Sequence, residues 1–446
     1  MENLVVRGTF FTSKNKDEVV AHENYLICID NGGLISRTLS PSDREYHQVL
    51  AEAQQHDRLL ELKDNQYLLP GFIDLHVHAP QWPQAGLALD LPLADWLNHY
   101  TFPLEAKFSD PEFANRVYQS FVHELLSQGT TTTLMFGTIH NQANMTLARQ
   151  SVNQGLRAFI GQVVMDNPDQ TPEYYRNSSA KEALESTEKF IHTMLGLQQQ
   201  TNSTVVPVIT PRFVPSCTDE ALEGLGDLAK KYDLPVQSHL SESNWEHGYA
   251  IERYGIHDTA VMDHFHLLTN RSIMAHGTQL QDDDLLTLRN RQTTIAHCPI
   301  SNIYFGNGVL PVKKLFSLGN RMGMGSDISG GYSPSLYHNI RQAVKSSQML
   351  EDGVDSRKKA DERGVKDSRI TMPNAFYLAT VGGAQALHLK TGKLEEGYQA
   401  DFQIVNGHPA LMKMTSADIF QRLMYQTEQQ DIQEVYVAGK RVYGKN

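Results

Sequence analysis

The stretch PGFIDLHVHAPQ, residues 70–81, sets two histidines one residue apart at the end of an apolar run. At strand periodicity Ile73, Leu75 and Val77 fall on one face, and Phe72, Asp74, His76 and His78 on the other. The pattern predicts a strand with an apolar outer face and imidazoles turned inward. Taken alone, it is equally a half-buried strand with a wet polar side, because short motifs match often by chance. The rest of the chain decides between the two.

Downstream, strand and helix alternate. SDPEFANRVYQSFVHELLSQG (109–129) offers Asp110 as N-cap and Pro111 at the first helical position. Phe113, Val117, Phe121 and Leu125 follow at four-residue spacing, and Gly129 is a stop. TTTTLMF (130–136) then reads as a strand. TDEALEGLGDLAKKYD (218–233) starts acidic and ends Lys230-Lys231, as the helix dipole favours, and runs straight into LPVQSH. Strand, helix, strand in this order means a parallel sheet. Candidate strands lie at 72–78, 131–136, 157–164, 204–210, 234–239, 272–276, 293–297 and 322–327. Eight such units predict an α/β fold, a (β/α)8 TIM-type barrel over residues 70–389. An open doubly wound sheet would carry a Gly-rich turn after its first strand, and none is present.

Both ends read differently. LVVRGTFF and YLICIDNGGLISRT, with Asn31-Gly32-Gly33 as a hairpin turn, precede the barrel. GYQADFQIV and IQEVYVAGKRVY, with Ala438-Gly439 as a turn, follow it. They predict a small β-sandwich domain formed by both termini, residues 1–69 and 390–446. The mixed charge run at 351–369 reads as a solvated helix face or loop.

A net charge of -12 argues against a nucleic-acid backbone or an anionic membrane as partner. Three well-separated cysteines, Cys28, Cys217 and Cys298, fit a reducing, cytoplasmic setting rather than a disulfide framework. No secretion leader and no run of 18 apolar residues is present, so no membrane span is expected.

Barrel chemistry sits where strands end. The first predicted strand ends in His76-x-His78. The fourth runs into Thr210-Pro211-Arg212-Phe213. The fifth ends at His239, with Glu242 three residues on. The sixth, seventh and eighth end at His276, His297 and Asp327. One histidine at a strand end is usually a satisfied core residue, whereas five ends carrying His or Asp on one rim point to a metal. Imidazoles with a carboxylate and no thiolate suit Zn²⁺ or Fe²⁺. Three nitrogens, from His76, His78 and His239, with Asp327 leave room for one water, as a catalytic zinc site requires.

PGFIDLHVHAPQ, HLSE, MAHG and GSD together resemble the amidohydrolase superfamily. HAPQWPQAGLALDLPLADWLNHYTFP (78–103), TPRFVPSC (210–217), IAHCPISN (295–302) and DISGGY (327–332) are similar to its guanine deaminase family over nearly the whole chain. Ser326 departs from the Thr expected in many relatives, and either residue supplies one hydroxyl. The other zinc deaminase pattern, P-C-x-x-C, is absent, since Cys298-Pro299 has no second Cys. The resemblance implies hydrolytic replacement of the C2 amino group of guanine, giving xanthine and ammonia. It implies one zinc per chain, with iron as the alternative, on His76, His78, His239 and Asp327. It makes Glu242, His276 and Asp327 catalytic: Asp327 accepts a proton from water, Glu242 passes one to ring N3, and His276 hydrogen-bonds the tetrahedral centre. Purine binding falls to Gln81, whose amide can donate and accept on one edge, to Arg212 as donor and to Phe213 as stacking ring. The family also implies a homodimer.

Two points stay open in the sequence. His276 can ligate or only hydrogen-bond, and His297 can orient a neighbour or satisfy a buried carbonyl. His140, His264 and His266 read as structural. Two other functions compete. One is an amidohydrolase-type deaminase or chlorohydrolase for a different nitrogen heterocycle, which would differ at Gln81, Arg212 and Phe213. The other is a non-catalytic barrel scaffold, which would have lost ligands that are all present here.

Overall fold

The computed structural model describes residues 2–445. Eight parallel strands form the barrel: β1 (Phe72–His78), β2 (Thr130–Phe136), β3 (Arg157–Val164), β4 (Val205–Pro211), β5 (Val236–Leu240), β6 (Ser272–His276), β7 (Thr294–His297) and β8 (Arg321–Met324). Each bonds to the next in chain order. The ring closes just beyond β8, where the Asp327 N–H donates to the His76 carbonyl (2.8 Å) and the His78 N–H to the Ile328 carbonyl (2.6 Å). The helix Pro111–Ser127 starts where the sequence places it, with the Asp110 carboxylate accepting from the Glu112 N–H at 2.9 Å. Gly129 then turns the chain into β2 at φ +83, and a Cβ there would sit 2.3 Å from Gln403 Oε1.

Inside the barrel, Ile73, Leu75, Leu134, Phe159, Val208 and Ile273 pack as one cluster with Ala384 and Leu387. Burying each large side chain contributes roughly 1.5–3 kcal/mol. Outside, Val77, Met135, Ala158 and Ile160 pack against Phe121, Leu125 and Leu147 of the surrounding helices. This corrects the alternation read from the sequence. Ile73 and Leu75 share the interior with the histidines, and only Val77 of that trio faces outward. The cause is a bulge in β1. Asp74 lies opposite Thr133 and Val77 opposite Met135, so three steps along β1 match two along β2. A bulge re-aims the side chains that follow it, and here it turns His76 inward directly after Leu75.

Strands from both ends of the chain form a second, mixed sheet of eight strands. Its path runs Lys440–Gly444, Ile432–Val437, Phe402–Asn406, Gln66–Pro70, Glu2–Asn15, Glu18–Asp30, Ile35–Leu39, with Leu59–Glu61 alongside Glu2–Asn15. Its tight turns at Gly33 (φ +79) and at Ala438-Gly439 (φ +48 and +71) use the left-handed backbone that hairpins need.

A buried ion pair ties this sheet to the barrel. Asp401, just before the strand Phe402–Asn406, accepts from both terminal nitrogens of the Arg157 guanidinium on β3. It also accepts from the Thr391 hydroxyl (2.6 Å) and the Ala438 N–H (2.7 Å). Asp401→Ala leaves the guanidinium buried without its partner, which costs about 3–5 kcal/mol. The expected result is a clear drop in the urea midpoint of unfolding. An unchanged midpoint would show that the pair contributes nothing net.

Candidate active site

The strand ends bring together the residues that the sequence sets far apart. His76 and His78 end β1, His239 lies in β5, His276 ends β6, and Glu242 and Asp327 follow β5 and β8; all six are buried. The ligand atoms of His76, His78 and His239 lie within 4.8 Å of one another, as do those of Glu242, His276 and Asp327. His78 Nε2 is 3.0 Å from His239 Nε2. Asp327 Oδ1 is 3.1 Å from His76 Nε2 and 3.4 Å from His78 Nε2.

Hydrogen bonds behind the rings fix their tautomers. His239 Nδ1–H donates to the Arg212 carbonyl (2.6 Å), and His276 Nδ1–H to Asn302 Oδ1 (2.9 Å). In the neutral ring each Nε2 then keeps its lone pair. Burial holds these rings neutral: it pushes His239 well below the usual histidine range, His78 down to about 4, and His276 down as well. His76 Nε2 and His276 Nε2 find no hydrogen-bond partner among the described residues, although Asp327 lies close to the first. Two unpartnered ring nitrogens, the close His78–His239 pair and a carboxylate thus converge on one point, which fits the donor set of a borderline divalent cation. Cys298 also approaches His76 and His276. Burial, and then the carboxylates of Asp327, Asp74 and Glu242, push its thiol well up, so it is a poor ligand.

Local backbone geometry serves this cluster. Asp74 accepts from the Ser326 N–H (2.9 Å), which pins β1 to the residue before Asp327. His276 (φ +76) and Asp327 (φ +53) both occupy the left-handed region, a strained state for non-glycine residues that is commonly found at functional sites. Ser241 (φ +49) donates through its N–H and its hydroxyl to Asp258, each at 2.6 Å. The Glu242 N–H donates to Glu246 at 2.8 Å. This turn carries Glu242 over the cluster, with Oε1 3.7 Å from His276 Nε2. Burial, and then the Asp327 charge, push its carboxyl up to about 8.

A cavity with roughly 450 Å³ of space between atoms opens above. His78, His239, Glu242 and Asp327 line it together with Gln81, Arg212 and Phe213. Phe213 stands edge-on to Trp245, with ring centroids 5.5 Å apart. Arg212 is buried rather than paired at the surface. Its guanidinium makes two bonds to Glu105 (2.7 and 3.2 Å) and lies 5.0 Å over the Phe102 ring. Gln81 Nε2 donates to the same carboxylate at 2.9 Å. The amide that the sequence lets donate and accept together therefore has its nitrogen already engaged. Glu105 escaped the sequence reading, although it lies two residues beyond the motif ending YTFP. The one available signal was that a buried arginine needs a carboxylate. His297 is buried and joins none of the metal-sized groups among the described residues. Its Nδ1 finds no hydrogen-bond partner among the described residues. His140 is half-buried, with its ring 5.9 Å from that of Tyr175.

A sequence model of the amidohydrolase family matches residues 67–442, and the chain belongs to that family. It is 36% identical to the guanine deaminase of Dictyostelium discoideum over 98% of this chain and 97% of that one. It is 35% identical to the Homo sapiens guanine deaminase over 98% and 96%. The crystal structure of guanine deaminase from C. acetobutylicum with bound guanine in the active site matches with a TM-score of 0.88 at 31% identity, covering 99% of this chain and 100% of that one. Within the amidohydrolases, the chain is a member of the guanine deaminase family.

Proposed function

We propose that this chain hydrolyses guanine to xanthine and ammonia, using one zinc ion held by His76, His78, His239 and Asp327. The observation that carries the reading is a single cavity, with the imidazole and carboxylate cluster as its floor and Gln81, Arg212 and Phe213 as its wall. The same donors would accept Fe²⁺. A cation there supplies Lewis acidity that brings the ionisation of a water near pH 7, from about 15.7 in bulk.

The protein's own groups do the rest. Phe213 offers its ring for stacking on the purine, and Arg212 can donate to the C6 carbonyl, a charge-assisted bond worth roughly 1.5–3 kcal/mol. This places C2 over the cluster. Asp327 accepts a proton from the attacking water as its oxygen bonds to C2. Glu242 delivers a proton to N3, and His276, its Nδ1–H held by Asn302, orients the new hydroxyl group. The C2–N bond then breaks. Glu242 carries the hydroxyl's proton to the amino group, so ammonia departs and C2 keeps the oxygen, and the proton held by Asp327 then passes to Glu242, which restores both carboxyls.

Residues 70–389 are the catalytic unit in this reading, and 1–69 with 390–446 the accessory β domain. We also read the protein as a cytoplasmic homodimer acting on a free base rather than on nucleic acid or a membrane. The net charge of -12 argues against nucleic acid or an anionic membrane as partner, among the described residues no helix is long and apolar enough to cross a membrane, and the dimer is read from the family resemblance. Light scattering tests the dimer.

The substrate reading is tested by ammonia release from guanine, adenine and cytosine. Guanine should be turned over. Adenine has no amino group at C2 and sets its own C6 amino donor against Arg212, so it should stay at background, as should cytosine. A preference for adenine or cytosine would sink the assignment while leaving the barrel and its metal untouched.

A further inference from the structure

Glu105 takes part in none of these steps, yet it touches both polar residues of the wall. It is 1% exposed, as is Gln81, and Arg212 is 2% exposed. Burial alone would raise its carboxyl, but the Arg212 charge and hydrogen bond, aided by Gln81, outweigh burial and hold it below its ordinary value. An ionised carboxylate accepts hydrogen bonds and donates none. Gln81 must therefore turn its nitrogen toward Glu105, because the opposite flip would set oxygen against oxygen. Gln81 Oε1 is then the group left over. It finds no partner among the described residues, on a side chain that lines the cavity. Arg212 is fixed in the same way. Two of its nitrogens grip Glu105 and its plane lies over Phe102, so only its remaining N–H groups are left to donate.

We propose that Glu105 is a positioning residue that sets the polarity of the wall, holding Arg212 as donor and Gln81 as acceptor in a fixed order. The chemical class this wall selects is a cyclic amide edge, a ring N–H next to a carbonyl. The assignment rests on guanine being the substrate. Guanine presents that edge at N1–H and C6=O, with O6 on Arg212 and N1–H on Gln81 Oε1. The sharpest comparison is 2,6-diaminopurine. It keeps the purine frame and the reacting C2 amino group, but it carries an amino donor at C6 and a bare N1. Both contacts are inverted, with donor facing donor and acceptor facing acceptor. Buried groups left unpaired in this way are what allow a site to reject a close analogue.

Glu105→Gln is the test. The new amide keeps the size and can accept or donate, so it releases Gln81 to flip. The readout is kcat/KM for guanine divided by that for 2,6-diaminopurine, in wild type and variant, with bound metal measured alongside. The ratio should fall by about 10-fold or more, which corresponds to about 1.4 kcal/mol of lost discrimination. The loss on guanine should appear mainly in KM, and metal content should be unchanged. If both substrates decline in step and the ratio holds, Glu105 is only structural and the proposal fails. If the variant does not fold, Gln81→Met keeps the Glu105–Arg212 pair and removes the acceptor. It should lower the same ratio by a similar factor, and an unchanged ratio there overturns the proposal. Wild-type protein that rejects guanine would fail the substrate reading itself at the first measurement, before any variant is compared.

Discussion

Asp327→Ala should yield a folded protein with no bound metal and no measurable deamination, and His76→Ala should do the same. The two residues lie on opposite sides of the barrel seam, with Asp327 Oδ1 3.1 Å from His76 Nε2 and no hydrogen-bond alignment between them. A site of three nitrogens and one carboxylate loses its charge-neutralising ligand in the first variant and one of its nitrogens in the second. An open catalytic site has no spare ligand to take over. The metal's contribution to a hydrolytic transition state is several kcal/mol, so activity should fall by at least about 10³-fold. Folding should survive, because the backbone bond from Asp327 N–H to the His76 carbonyl remains and the apolar core lies below the site. Mass-spectrometric metal analysis, the melting transition and ammonia release separate these effects. Full metal occupancy in either variant would show that the ligand set is wrong. Lost folding together with lost metal would show instead that the cluster is needed for the barrel itself.

What could be read from the sequence divides along physical lines. Parallel barrel strands are buried on both faces and appear as short apolar runs between helices, so their number and order were legible, and their ends fell within a few residues. The histidines at the strand ends were legible because a strand terminus is a position that sequence spacing can locate. The bulge in β1 was not. The run from Phe72 to His78 keeps a period of two, and the register shift arises only when β1 pairs with β2 and the Asp74 carboxylate takes the N–H of Ser326, 252 residues away. Glu105 was hidden for a similar reason. A glutamate in a short helical turn looks solvent-facing until Arg212, 107 residues later, folds down beside it. The polarity of Gln81 follows from that neighbour and from nothing in its own segment. His297 shows the limit of strand-end position. It ends a strand as the ligand candidates do, which left its role open in the sequence, and among the described residues it lies outside the groups of converging donors.

Glu242→Gln should retain its metal and lose about 10²–10⁴ in turnover. The geometry leaves this side chain little else to do. It lines the cavity beside Asp327, with Oε1 3.7 Å from His276 Nε2. Its turn is held by Asp258 and Glu246, so an amide of the same shape should occupy the same place. It is not one of the four proposed ligands, and metal content should therefore stay near that of the wild type. What changes is the chemistry. Each turnover must move one proton of water to ring N3 and the other to the departing amino group. A carboxyl can take up and give back a proton in sequence, whereas an amide can hydrogen-bond N3 but cannot protonate it. The interaction lost is one made during the chemical step, so kcat and kcat/KM should fall together while KM changes little. A rise in KM alone would mean that Glu242 binds guanine instead of moving protons. Near-normal kcat at neutral pH would pass the shuttle to Asp327, the remaining carboxylate of that group.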